Sequence, residues 1–136
     1  MHNSRFSVSI HILTLLAKAE GDLLSSELMA GSININPVLI RKELINLRKH
    51  HLVASKEGKN GGAYLARLPA DIYLSDVYLA VKQSALLSKS KNKPNPTCKI
   101  GRQINTHLSN LYDDAENALI SQLEKVTLKK FAHQFN

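Results

Sequence analysis

Residues 33–52 read ININPVLIRKELINLRKHHL, and the rest of the chain is organised around them. The stretch predicts one helix with a sharp start. Asn36 is of the type that caps the free amides of a first turn, and Pro37 fills the first helical position, where its missing N–H costs nothing. Ile40, Leu44 and Leu47 follow at steps of four and three and so share one face. At about 100° per residue, Lys42, Asn46 and Lys49 fall on the opposite face, with Arg41 and Arg48 on one flank. Glu43 is the stretch's only carboxylate. A helix with one core face, one basic face and an open polar N-terminus is of the kind that enters the major groove of DNA. The competing reading is a solvated charged face.

The flanking segments favour DNA. Upstream, Ser25 or Ser26 is suited to cap a short helix at 27–30, with Glu27 at the positive end of its dipole and Gly31 as a left-handed stop. Short helix, tight turn and basic helix make a helix-turn-helix pattern, although any orthogonal three-helix bundle reads the same way. Downstream, 52–56 and 63–68 read as two strands around Glu57-Gly58-Lys59-Asn60-Gly61-Gly62, with Tyr64, Ala66 and Leu68 on one face of the second and Leu65 and Arg67 on the other. A hairpin directly after the basic helix is the wing of a winged helix. Lys59 and Asn60 at its tip are placed to touch phosphate or the minor groove, or form an ordinary solvated tip.

Around this unit, residues 3–20 predict a helix with Phe6, Ile10, Leu13 and Ala17 on one stripe and Val8, Ile12 and Leu15 beside it, a face wide enough for burial on more than one side. Residues 72–74 suggest a third short strand. Ser75 is a candidate cap for a helix over 76–87, with Leu74 packing on Leu79 as a staple. Residues 88–97 carry three lysines and no apolar residue and read as a solvated, mobile linker. From Ile100 to about Lys125 runs a long helix with Ile100, Ile104, Leu108, Leu111, Ala115, Leu119 and Leu123 on one stripe. Its length, roughly 37 Å, exceeds what so small a domain needs for its own core. Residues Ile104, Leu108, Leu111, Ala115, Leu119 and Leu123 are therefore expected to pair two chains, the alternative being a helix folded back on its own domain. Thr127 is suited to cap a last helix at 128–135.

The chain has 136 residues, 18 Lys and Arg against 11 Asp and Glu, and a net charge of +7. That balance favours a polyanionic partner, nucleic acid or an acidic membrane surface. The longest apolar run, 12–17, is too short to span a bilayer, and the first residues lack a signal-peptide layout. The single cysteine, Cys98, excludes an internal disulfide and fits a reducing cytoplasm. No nucleophile–base pair, Walker loop or dinucleotide fingerprint is present, so a non-enzyme is expected. The organisation expected is mainly α with a small hairpin: a winged helix-turn-helix domain at 1–87, a basic linker at 88–99, and a dimerisation helix with a short terminal helix at 100–136.

Three stretches carry a resemblance to a known family. They are Asn36-Pro37 through Leu47-Arg48-Lys49-His50-His51-Leu52-Val53, then Gly61-Gly62-Ala63-Tyr64-Leu65-Ala66-Arg67, and Ile72-Tyr73-Leu74-Ser75-Asp76-Val77. They resemble the winged-helix regulators related to IscR, NsrR and CymR, the Rrf-two family. The glycine pair followed by an aromatic, Leu-Ala-Arg and a proline is the most specific part. The resemblance implies a bacterial homodimeric transcription factor, usually a repressor, acting on a palindromic operator. Carried over by position, it implies DNA contacts from Asn36, Val38, Arg41 and Lys42 on the helix and Lys59 on the wing. Pro37, Lys49 and Asn60 complete the candidate set.

The chain departs from the family in one respect. Cluster-binding members carry three cysteines before the long helix, and here that segment holds only Cys98. An iron–sulfur cluster needs about four ligands, so no cofactor is expected, and neither His107 nor His2, His11, His50, His51 and His133 shows metal-ligand spacing. Cys98 sits at a predicted helix start beside Lys99, with Lys93 and Arg102 near, which favours its thiolate and makes it a candidate redox sensor; an inert cysteine is the alternative. The leading reading is a DNA-binding regulator. Its rivals are a winged helix used for protein contact and a duplex-RNA binder.

Overall fold

The computed structural model of the chain describes residues 4–82, 87 and 89–136. Along the chain run α1 (Ser4–Lys18), α2 (Ser26–Ile33), α3 (Pro37–Lys49), β1 (Val53–Lys56), β2 (Gly62–Leu65), a 3-10 turn (Pro69–Asp71), α4 (Leu74–Val81), α5 (Lys99–Leu123) and α6 (Leu128–Ala132). The expected helical, winged architecture is present.

Helix α1 is wrapped on several sides, by α2, α3, α4, α6 and β2, as its wide apolar face requires. Ile12 and Leu13 are fully buried among Met29, Ile40, Leu47, Leu52, Ile72, Val77 and Leu128. Ser25 caps α2 by accepting from Leu28 N at 3.1 Å. Gly31 does not stop that helix. It continues to Ile33, and Asn34 (φ +64°) takes the left-handed position instead; asparagine is a common second choice there because its short polar side chain tolerates that region.

The wing pairs Val53 with Leu65 and Lys56 with Gly62 in antiparallel register. Its return strand is shorter than the 63–68 expected, and its core-facing residues are Ala63, which is buried, and the half-buried Leu65. Leu24 adds a single bridge to Ala63, through bonds of 2.9 and 3.1 Å. A side chain at Gly62 would put its Cβ 2.7 Å from the Leu24 carbonyl oxygen, so this close approach requires glycine.

Residues 72–74 do not join the wing. Tyr73 forms an isolated bridge with Thr127, in which Leu74 N donates to Val126 O and Leu128 N to Ile72 O. The end of the chain thus returns to the head, where Thr127 caps α6 and Phe131 packs against the core. Helix α4 begins at Leu74, two residues earlier than expected. Ser75 is buried inside it rather than capping it, and the carboxylate of Asp76 reaches back to accept from Tyr73 N at 2.9 Å. Leu74 is the first residue of the helix and not the one before its cap, so it does not occupy the position a staple with Leu79 requires. The last part of the helix expected over 76–87 includes residues 83–86, which lie outside those described.

Helix α5 has no fully buried side chain. Leu123 packs against the core, while Ile100 is 73% and Leu111 60% exposed. Partway along, Glu116 accepts from Tyr78 OH at 3.0 Å and from Lys82 Nζ at 2.7 Å, fastening α5 to α4. The Lys82 hydrogen bond holds the Glu116 carboxyl below its ordinary range, and burial, with Glu116 beside it, raises the Tyr78 phenol.

Candidate nucleic-acid interface

Asn36 caps α3 as expected, its Oδ1 accepting from Val38 N at 2.9 Å, with Pro37 at the helix start. Ile40, Leu44 and Leu47 point into the core. The helix is thereby anchored along one side and presents the other. Val38, Leu39, Arg41, Lys42, Ile45, Arg48 and Lys49 are exposed on it. Asn46 is not on that face. It turns inward, and its Nδ2 donates to Ala80 O at 2.9 Å, which ties α3 to α4. Ile45, 55% exposed, stands seven residues after Val38, 58% exposed, with Lys42 between them. Val38 is in the candidate set drawn from the family resemblance, whereas Ile45 is not, since an aliphatic side chain at helical spacing reads as core. Exposed apolar side chains at such positions are of the type that contacts a thymine methyl.

Glu43 does not spoil the basic face. It is 6% exposed and turned toward α1, where the guanidinium of Arg5 clasps it through three hydrogen bonds of 2.9–3.2 Å. The arginines of α3 are held by neighbours. Arg41 Nη1 lies 2.9 Å from Glu27 Oε2, and Arg48 Nη1 donates to Ser55 Oγ at 2.8 Å. Lys42 and Lys49 form no ion pair among the described residues. Arg67, at the end of the wing, bonds the carbonyls of His50 and His51 and lies 3.6 Å from Asp76. It therefore satisfies acceptors at the C-terminal end of α3. Lys59 and Asn60 occupy the exposed wing tip, with Asn60 at φ +66°.

Cys98 is exposed and caps α5, its Sγ 3.5 Å from Gly101 N. The Gly101 and Ile100 amides lower its thiol below the usual value. Among the described residues no group of three His, Cys, Asp or Glu side chains is placed to hold a metal. His107 shares its stretch of α5 with Lys99, Ile100, Gln103 and Ile104, none of which is a thiolate or carboxylate donor.

A capped, core-anchored helix that presents cations beside a two-stranded wing defines a winged helix-turn-helix protein of the DNA-binding class. Residues 2–134 match the family described as "Rrf2: Iron-dependent Transcriptional regulator", and the chain belongs to that family. It is 38% identical over 129 residues, 95% of each protein, to YwnA of Bacillus subtilis, named as an HTH-type transcriptional regulator. A crystal structure described as that of a DNA-binding protein superposes with a TM-score of 0.76 at 35% identity, covering 94% of this chain and 98% of the other. CymR, the global cysteine regulator of B. subtilis, shares the fold, with a TM-score of 0.73 at 20% identity over 100% of this chain and 98% of its own. The protein is accordingly a DNA-binding transcriptional regulator and not an enzyme. No helix among the described residues is long and apolar enough to cross a membrane.

Proposed function

We propose that this chain is a cytoplasmic homodimeric repressor that reads a palindromic operator without a resident cofactor. In this reading Asn36, Pro37, Val38, Arg41, Lys42 and Lys49 on α3 face the major groove. Lys59 and Asn60 approach phosphate or the minor groove, and the stripe Ile104, Leu108, Leu111, Ala115 and Leu119 pairs with its twin, while Leu123, expected on the same stripe, packs on its own head. The observation that carries it is the exposed face of α3, from which the one carboxylate, Glu43, has been withdrawn into the head by Arg5. The exposure of Ile104 and Leu111 on α5 supports the dimer, and the family's usual role supports repression.

The two basic elements divide their labour. Arg41 sits one turn into α3, where an arginine can pair with guanine through two parallel bonds, giving about 1–3 kcal/mol of discrimination. Lys59, on a glycine-rich tip, acts as a charge near the backbone. The probe is the duplex that the protein itself selects from a randomised pool, compared with a scrambled version. Arg41→Ala is expected to weaken the selected duplex more than the scrambled one. Lys59→Ala is expected to weaken both alike and to lower the slope of log affinity against log salt by about two per dimer. Salt titrations of both variants on both duplexes check this, and equal losses for Arg41→Ala would remove that residue as a base reader.

Cys98 extends the reading to regulation. A thiolate favoured by the Gly101 and Ile100 amides is open to peroxide, which takes two electrons from the sulfur to leave a sulfenic acid and hydroxide. The modified sulfur would lie where the linker meets α5 and so alter how the heads are set. Mild peroxide is expected to change affinity for the selected duplex in the unaltered protein and not in Cys98→Ser; identical responses would exclude the thiol as sensor.

A further inference from the structure

Between the start of α2, one flank of α3 and the base of the wing runs a polar groove of about 290 Å³, walled by Ser26, Glu27, Arg41, Arg48, Ser55 and Lys56 among others. Arg41 leans across it. Its Nη1 is 2.9 Å from Glu27 Oε2 and 3.4 Å from Ser26 Oγ, and its guanidinium makes no other hydrogen bond or ion pair among the described residues. Both partners are open to solvent, with the arginine side chain 51% and the glutamate 68% exposed.

An ion pair this exposed adds little to stability. The two helices do not need it to stay together, because Met29 and Ala30 of α2 and Ile40 and Leu44 of α3 are already buried in the common core. Its consequence is geometric. A free arginine on a helix surface samples many rotamers, and its nearest anionic targets on a duplex are phosphates, which carry no sequence information. Tethered through one nitrogen, the guanidinium keeps Nε and Nη2 available in a restricted orientation, and less freedom remains to be lost when a base edge is engaged. The Glu27 carboxylate also lines the groove with an exposed side chain, from which it would repel a phosphate backbone. It therefore lowers affinity for every duplex while sharpening the choice among them, which is how repulsive elements confer specificity.

We propose that Glu27 is a positioning residue that determines operator specificity by holding Arg41 toward base edges and away from phosphate. The proposal rests on the reading of α3 as the base-reading helix and adds to it a second-helix residue that would not itself touch a base.

The test uses the full-length protein, the duplex it selects from a randomised pool, and a scrambled duplex. Glu27→Gln is expected to raise affinity for the scrambled duplex several-fold and to steepen its salt dependence by about two per dimer. The ratio of selected to scrambled affinity is expected to fall about fivefold or more. Glu27→Asp keeps the charge but shortens the reach by one methylene. It is expected to leave the scrambled affinity unchanged and to lower the ratio part of the way. In an Arg41→Ala background, Glu27→Gln is expected to leave the ratio where Arg41→Ala alone put it, because the effect passes through the arginine. If Glu27→Gln strengthens both duplexes equally, the carboxylate is a background charge and the proposal is overturned. If Arg41→Ala alone leaves the ratio unchanged, the reading of α3 has failed, and the proposal falls with it. An altered ratio for Arg41→Ala beside an unaltered one for Glu27→Gln rejects the positioning role alone.

Discussion

Replacing Leu111 and Leu119 together with glutamate is expected to leave a folded monomer that binds its selected duplex at least about 100-fold more weakly. Leu111 is 60% exposed in the single chain and Leu119 is only partly covered, so neither change opens a cavity in the head. In the proposed dimer each leucine loses that exposure to the twin helix. Burying one leucine contributes roughly 1.5–3 kcal/mol, and a two-fold interface contains each position twice. Four carboxylates introduced along one seam would also repel each other. Loss of DNA binding then follows from losing the second head, because linking two reading units raises overall affinity by about 10²–10⁴ with no new contact. Sedimentation velocity at micromolar concentration checks the assembly, and thermal melting checks that the head survives. An unaltered protein that sediments as a monomer would remove the dimer from the proposal.

The other large effect is expected inside the head. Arg5→Ala leaves the Glu43 carboxylate, 6% exposed, without the guanidinium that supplies all its side-chain hydrogen bonds among the described residues. Removing one partner of a buried pair costs about 3–5 kcal/mol. Arg5 retains 27% of its side-chain exposure, which admits some water and places the expected loss near the lower end, about 3 kcal/mol. Against a total stability of roughly 5–15 kcal/mol this is a large share, and the urea midpoint is the measurement that shows it. Arg5→Met with Glu43→Leu removes both charges and is expected to recover most of the loss. A midpoint for Arg5→Ala within error of the unaltered protein would mean that water solvates Glu43 without help. Because the pair joins α1 to the middle of α3 and keeps the Glu43 carboxylate off the basic face, the same variant should lose DNA affinity at least in proportion to the unfolded fraction.

The elements that carry DNA chemistry were legible because local rules govern them. Asn36-Pro37 announced the start of α3, the steps from Ile40 to Leu47 set its buried side, and the glycines after Lys59 marked the wing. What stayed hidden depended on partners distant in the chain. Nothing local shows that Asn46 turns to Ala80, 34 residues away, or that Glu43 meets Arg5 across 38 residues. The 100° spacing puts Asn46 on the outer face with Lys42 and Lys49, and spacing alone cannot register the distant carbonyl that draws it inward. Residues 72–74 depart from the local expectation for the same reason. The β-prone residues 72–74 found a single pairing with Thr127 at the far end of the chain instead of with the wing. Gly31 reads as a stop because glycine often is one, whereas the left-handed residue is the asparagine three positions on.

The return of the chain end to Tyr73 makes α5 a cantilever. Its C-terminal end is rooted in its own head by the Thr127 bridge, by Leu123 against the core and by the grip of Lys82 and Tyr78 on Glu116. From Glu116 back to Lys99 it projects with Ile100 and Leu111 exposed, a reach of roughly 25 Å at 1.5 Å per residue. Over that arm a tilt of only about 5° at the root displaces the tip by about 2 Å, comparable to the helix shifts by which regulatory interfaces switch. Two such arms crossed at their tips would set the separation of two reading heads. DNA offers successive major-groove faces only at whole turns of about 34–36 Å, so the roots near Glu116 and Thr127, far from any base, would tune which operator spacing the pair can straddle.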